Sequence, residues 1–266
     1  MDFRDVDGGQ SRKLIEYLDF GTRFSPEQKA KTFAAQRLAA GMHVLDVGCG
    51  TGDDVRAIAQ IVGPGGSAVG VDASQAMIDE ATARGLPPNA AFHRAEACAL
   101  PFEDAAFDAA RADRLFQHLE DPAGAAREIG RVLKPQGTLL LLDQDWGSLM
   151  ISGARQDVTQ AIVASFAATL ANPFAGRAAR GLLAGAGFRD VGFLPVVSVP
   201  PLPIAFESIL KPAMDAAARA GDVDAKTAGE WLAALLDADR RGAFFCAVVV
   251  IVALGRRACG DREEAR

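Results

Sequence analysis

From His43 onward, short apolar runs alternate with longer amphipathic stretches. Apolar residues concentrate at 43–47, 67–71, 106–110 and 138–142, with a weaker run at 90–93, and helical patterns lie between them at 52–62, 74–84 and 122–133. Regular alternation predicts strands and helices in turn. Nearly continuous apolar strands are typical of a parallel sheet that helices cover on both faces. We therefore expect an α/β fold with a doubly wound, mostly parallel sheet.

The pattern becomes less regular beyond Asp145. It predicts two helices between 154 and 187, a strand at 191–197, helices at 205–219 and 225–240, and a long, fully buried last strand within 243–254. No stretch resembles a linker, so residues 1–266 are expected to form one domain. That domain would begin with helices over 1–40, and a helical insertion at 198–241 would lie over the sheet before the last strand.

Composition narrows the classes of function. The chain has 266 residues, half of them hydrophobic, and a formal net charge of −6, so it lacks the basic surface expected of a nucleic-acid-binding protein. The apolar run 243–254 is too short to span a bilayer as a helix, and no signal peptide is apparent. Four scattered cysteines show neither metal-ligand spacing nor a disulfide framework. We expect a cytoplasmic protein without a bound metal.

The strongest local signal is a glycine-rich turn. Val44–Val47 is followed by Gly48-Cys49-Gly50-Thr51-Gly52, and a helical pattern comes next. Glycines allow a sharp turn and a close approach of a ligand to the backbone. In a parallel α/β sheet this first turn lies at the carboxyl ends of the strands, where ligands bind.

Two acids after the glycines discriminate between cofactors. A dinucleotide fingerprint starting at Gly48 would need a glycine where Asp53 stands. Asp53 and Asp54 open the helix and would repel a pyrophosphate there. S-adenosylmethionine suits the turn better, because it carries a sulfonium and an ammonium against one carboxylate. Asp72 ends the second strand and is placed either to bind ribose hydroxyls or to cap the following helix.

Five segments resemble class I S-adenosylmethionine-dependent methyltransferases, in particular the small-molecule enzymes related to ubiquinone and menaquinone methyltransferases. The segments are Leu45–Gly52, Gly70–Asp72, Ala99–Phe102, Phe107-Asp108 and Arg131–Gly137. The resemblance covers about residues 10–150. It implies a Rossmann-like, seven-stranded fold in which 41–150 binds the cofactor. Residues 151–266 would then lie on the acceptor side, where the insertion 198–241, placed before the last strand, would form a lid. Gln136 departs from the family, which usually has glycine at this position, in the turn before the fifth strand.

The resemblance also implies which residues contact S-adenosylmethionine. The methionyl part would lie among Asp46, Gly48, Gly50 and the backbone of Arg111, and Asp72 would hold the ribose. Ala73 and Met77 would pack near the adenine, and Glu96 and Ala97 would read its edge. In related enzymes an N-terminal aromatic often covers the carboxylate end of the cofactor. Tyr17 could do so, or it could be a packing residue.

Candidate acceptor residues follow the fourth and fifth strands. His118 is the candidate general base, although a role in capping or packing against the next helix is favoured over proton transfer. Arg114, Gln117 and Asp143 could orient a polar group, and Trp146 could form an apolar wall, while solvated loops or surface pairs are the alternative interpretation. Apolar residues of the insertion, such as Met214 and Trp231, suggest a roof over an apolar or amphipathic molecule.

The favoured function is methyl transfer to the O, C or N atom of a small metabolite by a monomer or homodimer. A second hypothesis keeps the cofactor but assigns cyclase or isomerase activity, and the glycine turn does not separate the two. An NAD-dependent oxidoreductase is disfavoured by Asp53 and Asp54.

Overall fold

The computed structural model of the protein describes residues 26–259, together with Ile15. Its helices are α1 (Pro26–Gln36), α2 (Asp53–Val62), α3 (Gln75–Ala83), α4 (Pro122–Val132), α5 (Gln156–Ala167), α6 (Ala175–Gly185), α7 (Leu202–Ala205), α8 (Lys211–Ala220) and α9 (Ala225–Arg240). A 3₁₀ turn spans Phe116–His118, and a π-helical turn, Phe206–Leu210, joins α7 to α8.

The described strands form one sheet in the order β3-β2-β1-β4-β5-β7-β6. They are β1 (His43–Val47), β2 (Ser67–Asp72), β3 (Ala90–Arg94), β4 (Phe107–Asp113), β5 (Leu133–Ser152), β6 (Phe188–Ser198) and β7 (Phe245–Arg257). Strands β1 to β5 pair in parallel, whereas β7 runs antiparallel between β5 and β6. The predicted α/β class and the mostly parallel seven-stranded sheet are confirmed.

Helices cover the two faces of the sheet with separate apolar cores. One core packs α4 and α6 against Leu45, Ala110 and Leu141. On the other face, the apolar sides of α2 and α3 pack against Val44 and Ala109, and Phe33 of α1 joins them. Side chains alternate between faces along a strand, so each strand contributes to both cores.

A third core lies beyond the sheet's carboxyl edge. It joins α5, the helices between Leu202 and Arg240, and the start of β7, and it includes Trp146, Ile209 and Trp231. The apolar stripe of the predicted insertion is therefore packed mainly within this helical unit. The division of the chain into core, acceptor side and lid stays a prediction.

The last strand differs from the expectation of a fully buried strand. Residues 249–252 of β7 are only half-buried. Its neighbour β6 is the edge strand, with Phe193, Leu194 and Val197 exposed to 53%, 60% and 56%. Burial at this edge is concentrated at the other end of β6, where Phe188 packs against Leu183 of α6. The expectation that the last strand is fully buried is therefore wrong at this edge of the sheet.

The irregular start of β5 contains one departure from the family pattern. Gln136 has φ +66°, a left-handed conformation that glycine adopts without strain. Gln136 lies at the amino ends of the strands, far from the glycine turn. The departure therefore affects a turn and not the site.

None of the helices within residues 26–259 has the length and hydropathy of a membrane-spanning segment.

Candidate functional site

The glycine turn after β1 is held tightly against β2. Gly48, Gly50 and Gly52 all have left-handed backbones, with φ of +74°, +51° and +79°. The N–H groups of Gly48 and Cys49 donate to the carbonyl of Val71 at 2.8 and 2.9 Å. A Cβ at Gly52 would lie 2.4 Å from a ring carbon of Phe92. Glycine is thus required here both by conformation and by space.

Asp72 links this turn to the start of α3. Its Oδ2 accepts a hydrogen bond from the Gly50 N–H at 3.0 Å, and its Oδ1 accepts one from the Ser74 N–H at 2.9 Å. The helix cap is Ser74, whose hydroxyl oxygen accepts from the Met77 N–H. Asp72 therefore does more than cap a helix: it fixes a carboxylate at the carboxyl edge beside the glycines.

A buried charge cluster lies on the α1 side of the turn. The Arg111 guanidinium is fully buried and lies 2.9 Å from Asp54, 3.6 Å from Asp113 and 3.9 Å from Asp46. Its Nε and one terminal nitrogen nevertheless have no aligned hydrogen-bond acceptor. Lys29 adds a second cation, 2.5 Å from Asp54. Three carboxylates thus face two cations in a nearly dry space.

Helix α1 supplies one side of this cluster through a single helical face. Lys29, Thr32, Phe33 and Gln36 recur at intervals of three and four residues. Thr32 lies 3.3 Å from Arg111, whose guanidinium also stacks 4.5 Å from the centre of the Phe33 ring. Gln36 donates to the Ala110 carbonyl at 2.7 Å. Sequence reasoning missed Lys29 and Thr32, although this polar spacing is a signal that could have identified them.

Burial and neighbouring charges set the protonation of two acids in this cluster, Asp46 and Asp113. Burial is the main cause that raises the pKa of Asp46 to about 8, and the Asp54 carboxylate adds to the rise. For Asp113, burial acts in the same direction, but Arg114, Lys29 and Arg111 together hold its pKa below the usual value. Asp46 therefore binds a proton near neutral pH, and a cation placed beside it would displace that proton.

A cleft opens beside this cluster. Its walls within the described chain carry four acids and two bases and include the glycine turn; they are Lys29, Asp46, Gly48, Cys49, Gly50, Thr51, Asp53, Asp54, Asp113 and Arg114. The structure thus brings together the residues predicted for the methionyl part of a cofactor. The site favours a cationic ligand over a polyanionic one.

The predicted adenine residues lie at the neighbouring edge of the sheet. Met77 and Ala97 are buried, whereas Ala73 and Glu96 are exposed. Glu96 lies in a short bridge with Ala99. An apolar floor with an accessible carboxylate is compatible with a purine edge, and these assignments stay predictions. Tyr17 lies outside the described residues.

Two of the predicted acceptor residues bind each other. The Trp146 indole N–H donates to the Gln117 side-chain oxygen at 2.6 Å, and both residues are buried. Trp146 also packs edge-on against Phe166, with ring centroids 4.8 Å apart. Arg114 lies 3.1 Å from Asp113 and reaches the cofactor cleft. Of these three side chains, Arg114 is the one that lines the cleft.

Asp143 lies on the opposite sheet face from the charge cluster. Its carboxylate accepts hydrogen bonds from the backbone N–H groups of Phe116 and Gln117, each at 3.2 Å, and so anchors the turn that carries His118. Burial raises the pKa of Asp143 to about 8. It also lines an apolar groove of about 220 Å³ between this turn and α6.

Asp145 and His118 each have a neighbouring arginine. The Asp145 carboxylate forms an ion pair with the Arg177 guanidinium, with contacts of 2.5 and 2.7 Å. Burial, and then the charge of Arg114, lower the pKa of His118 to about 4. The imidazole is therefore neutral at physiological pH and is a weak base.

Comparison with known proteins agrees with this geometry. A family model described as a methyltransferase domain matches residues 44–137. A Streptomyces fradiae relative, an uncharacterized 37.1 kDa protein in transposon TN4556, is 32% identical over 91% of this chain and 71% of its own length. The demethylmenaquinone methyltransferase of Lactococcus lactis is 33% identical over 46% of this chain and 50% of its own.

The chain belongs to the class I S-adenosylmethionine-dependent methyltransferases. The predicted family and cofactor are thus confirmed. The methyltransferase match ends at residue 137, and the chain spans about half the length of the curated methyltransferase named above. The family model therefore says nothing about the residues beyond 137, where the acceptor side is predicted.

Solved structures agree on the fold of this methyltransferase. A putative methyltransferase from Bacillus halodurans superposes with a TM-score of 0.60 at 18% identity, covering 88% of this chain and 100% of that one. The cyclase SpnF superposes with a TM-score of 0.53 at 23% identity, covering 88% and 81%. Enzymes of different chemistry share the fold, so the acceptor has to be argued from the residues.

Proposed function

We propose that the protein transfers a methyl group from S-adenosylmethionine to an O, C or N atom of a small apolar or amphipathic molecule. The observation that carries this proposal is the acidic cleft formed by the glycine turn, Asp46, Asp54 and Asp113, beside the fixed carboxylate of Asp72. Family membership supports the activity, and the named relative supports a small-molecule acceptor.

The residues present fit the cofactor by charge. The cleft walls carry four acids and two bases, so their net charge is −2 when all six groups are ionised. S-adenosylmethionine brings two positive charges and one negative charge. Its ammonium would complement Asp46, and its carboxylate would complement the unsatisfied N–H groups of Arg111.

We assign the remaining cofactor contacts as the sequence predicted them. Asp72 would accept hydrogen bonds from the ribose hydroxyls, and Gly48 and Gly50 would allow the methionyl part to approach the backbone. Met77 and Ala97 would form the apolar floor under the adenine. Ala73 and Glu96 would also contact the adenine, and Tyr17 would cover the carboxylate end of the cofactor.

The cofactor supplies an electrophilic methyl group on a cationic sulfur. The chain's own contribution is to align an acceptor at the carboxyl edge and to exclude water from it. Gln117 and Trp146 keep each other in place beneath this edge, and Asp143 holds the turn that carries His118. We propose that these three residues position the acceptor site indirectly and that Arg114 reaches the ligands.

Calorimetry tests the cofactor assignment. We expect S-adenosylmethionine and S-adenosylhomocysteine to bind with micromolar or tighter affinity, and NAD to give no heat of binding. Transfer of a labelled methyl group to a panel of phenols, hydroquinones and amines would then identify the acceptor atom. Binding of NAD but not S-adenosylmethionine would overturn the proposal.

The cyclase alternative rests on the fold shared with SpnF. The mass of the product separates the two activities. Methyl transfer adds about 14 Da to the acceptor, whereas cyclisation leaves the mass of the substrate unchanged. We further propose a cytoplasmic monomer or homodimer without a nucleic-acid partner. The net charge of −6 supports the last point.

A further inference from the structure

The edge strand β6 carries a cluster of exposed apolar side chains. Of ten large apolar side chains that are exposed within residues 26–259, four fall within seven positions: Phe193, Leu194, Val197 and Val199. The sequence has no charged residue between Asp190 and Glu207. A contiguous apolar surface without charges marks a place where a partner binds.

The first part of this edge is protected against pairing, and the second part is not. Arg189 and Asp190 place charges at the start of β6, and Asp190 has φ +52° where the register against β7 shifts. Bulges and charges of this kind keep edge strands apart. From Gly192 to Ser198 the pairing with β7 is regular. Pro195, which lacks an N–H, is the protective residue of this second part.

The exposed side chains lie on both faces of β6. Val197 pairs with Val249 and Leu194 with Val252, so Val197 and Leu194 point to opposite faces of the sheet. A partner that packs on one face would leave the other row exposed. A bilayer would cover both rows but would leave the backbone N–H and C=O groups of the edge without hydrogen bonds. A second strand that pairs with the edge covers side chains of both rows and binds these groups.

We propose that two copies of the chain form a dimer in which their β6 strands pair antiparallel. Two copies of one strand that pair across a two-fold axis are antiparallel, and the pairing joins two seven-stranded sheets into one. With the axis near the end of β6, residues 189–190 of each copy lie beyond the carboxyl end of the other strand, so like charges are not brought together. The interface does not depend on the methyl transfer proposed above.

Pro195 determines where the two strands exchange hydrogen bonds. A proline in an edge strand turns its nitrogen away from the sheet, so the backbone groups of Val197 and Val199, two and four positions later, also point outward. A two-fold axis at Val197 lets the two Val197 residues exchange N–H···O=C bonds. The Val199 N–H of each copy then donates to the Pro195 carbonyl of the other. The missing N–H of Pro195 costs this register one donor per copy.

Sedimentation velocity of the full chain tests the dimer. We expect the parent at micromolar concentration to have twice the 27.8 kDa mass of one chain. Val197→Lys places two ammonium groups opposite each other at the axis, so the dimer should weaken by about a hundredfold or more and the variant should sediment as a monomer. Leu86→Lys, a similarly exposed position before β3 at the other edge of the sheet, is the matched control and should stay dimeric.

Disulfide crosslinking tests the register, after the exposed Cys98 and Cys259 are replaced by serine. Val197→Cys should oxidise to a linked dimer, because the two Cα atoms would lie about 5.5 Å apart, a distance that a disulfide spans. Phe193→Cys is the control and should not link, because its two copies would lie eight strand positions apart, or about 26 Å.

A monomeric parent, a dimer that survives in Val197→Lys, or equal dissociation of Leu86→Lys would overturn the inference. Equal linking through Phe193→Cys would overturn it as well. A monomeric parent that sediments with vesicles of phosphatidylcholine and phosphatidylglycerol would assign the edge to a lipid surface instead. Binding of S-adenosylhomocysteine checks that each variant is folded, and failure of the parent to bind it would refute the proposed function and not the dimer.

Discussion

The cofactor cleft and the helical core beyond it are built on opposite principles. Around Arg111 the protein buries carboxylates and cations together, with Asp46 protonated and two N–H groups unsatisfied. Around Trp231 it buries almost purely apolar side chains, and the indole N–H is satisfied by the Thr159 hydroxyl at 2.8 Å. Buried charges are costly to keep, whereas buried apolar surface stabilises the fold. Stability should therefore depend mainly on the helical core, and ligand binding mainly on the cleft.

The largest effect is expected from truncating the helical core. Trp231→Ala removes a large buried side chain and its hydrogen bond to Thr159, and should lower the free energy of unfolding by about 3–5 kcal/mol. Leu236→Ala, at an exposed position of the same helix, is the control and should cost far less. Urea denaturation measures both. Similar losses in the two variants would show that this core contributes little to stability.

Asp72→Ala should show the reverse behaviour. It removes a charged acceptor proposed to bind two ribose hydroxyls, so affinity for S-adenosylhomocysteine should fall by about 2–3 kcal/mol, or roughly 30–150-fold. The exposed Asp79→Ala variant on α3 should bind as the parent does. Calorimetry on folded protein provides the comparison. An unchanged dissociation constant would mean that Asp72 serves the turn alone.

Proton release tests the charged character of the cleft. Asp46, with its pKa raised to about 8 by burial, is protonated in the free protein at pH 7 and should ionise beside the cofactor's cation. Affinity should therefore rise as pH rises toward 8, by at most about tenfold per pH unit, and level off above it. Calorimetry in buffers of different ionisation enthalpy should count close to one released proton. Asp46→Asn should release none, and equal release in both proteins would contradict the assignment.

Much of the cofactor side could be predicted from the sequence because local rules determine it. Gly48, Gly50 and Gly52 all have left-handed backbones, which glycine adopts without strain, and Asp72 follows them at a strand end. The faces of β5 could not be predicted in the same way. The alternation of side chains along a strand shows that Asp143 and Asp145 share one face of the sheet. Which of the two faces this is depends on the register of β5 against β4, and only the structure gives that register.

Long-range pairing explains the other gaps. Lys29 lies 25 positions before its partner Asp54, and Gln117 meets Trp146 from 29 positions away. Neither separation follows a helical or strand period, so no local pattern predicts the contact. The exposed edge of β6 was missed for a similar reason, because an apolar run indicates a strand without indicating what packs on it.

The smallest effect is expected at His118, in the 3₁₀ turn after β4. Its pKa of about 4 leaves the imidazole neutral but weakly basic, and the positive charge of Arg114 opposes proton uptake. His118→Ala should therefore change turnover no more than about threefold, measured with labelled S-adenosylmethionine, as should the exposed His93→Ala control. A general base would instead give a loss on the order of 10²–10⁴ that shrinks at high pH, where a hydroxyl acceptor ionises unaided. If that larger loss is seen with cofactor affinity intact, proton removal by His118 drives the reaction, and alignment of the acceptor within the pocket is not sufficient.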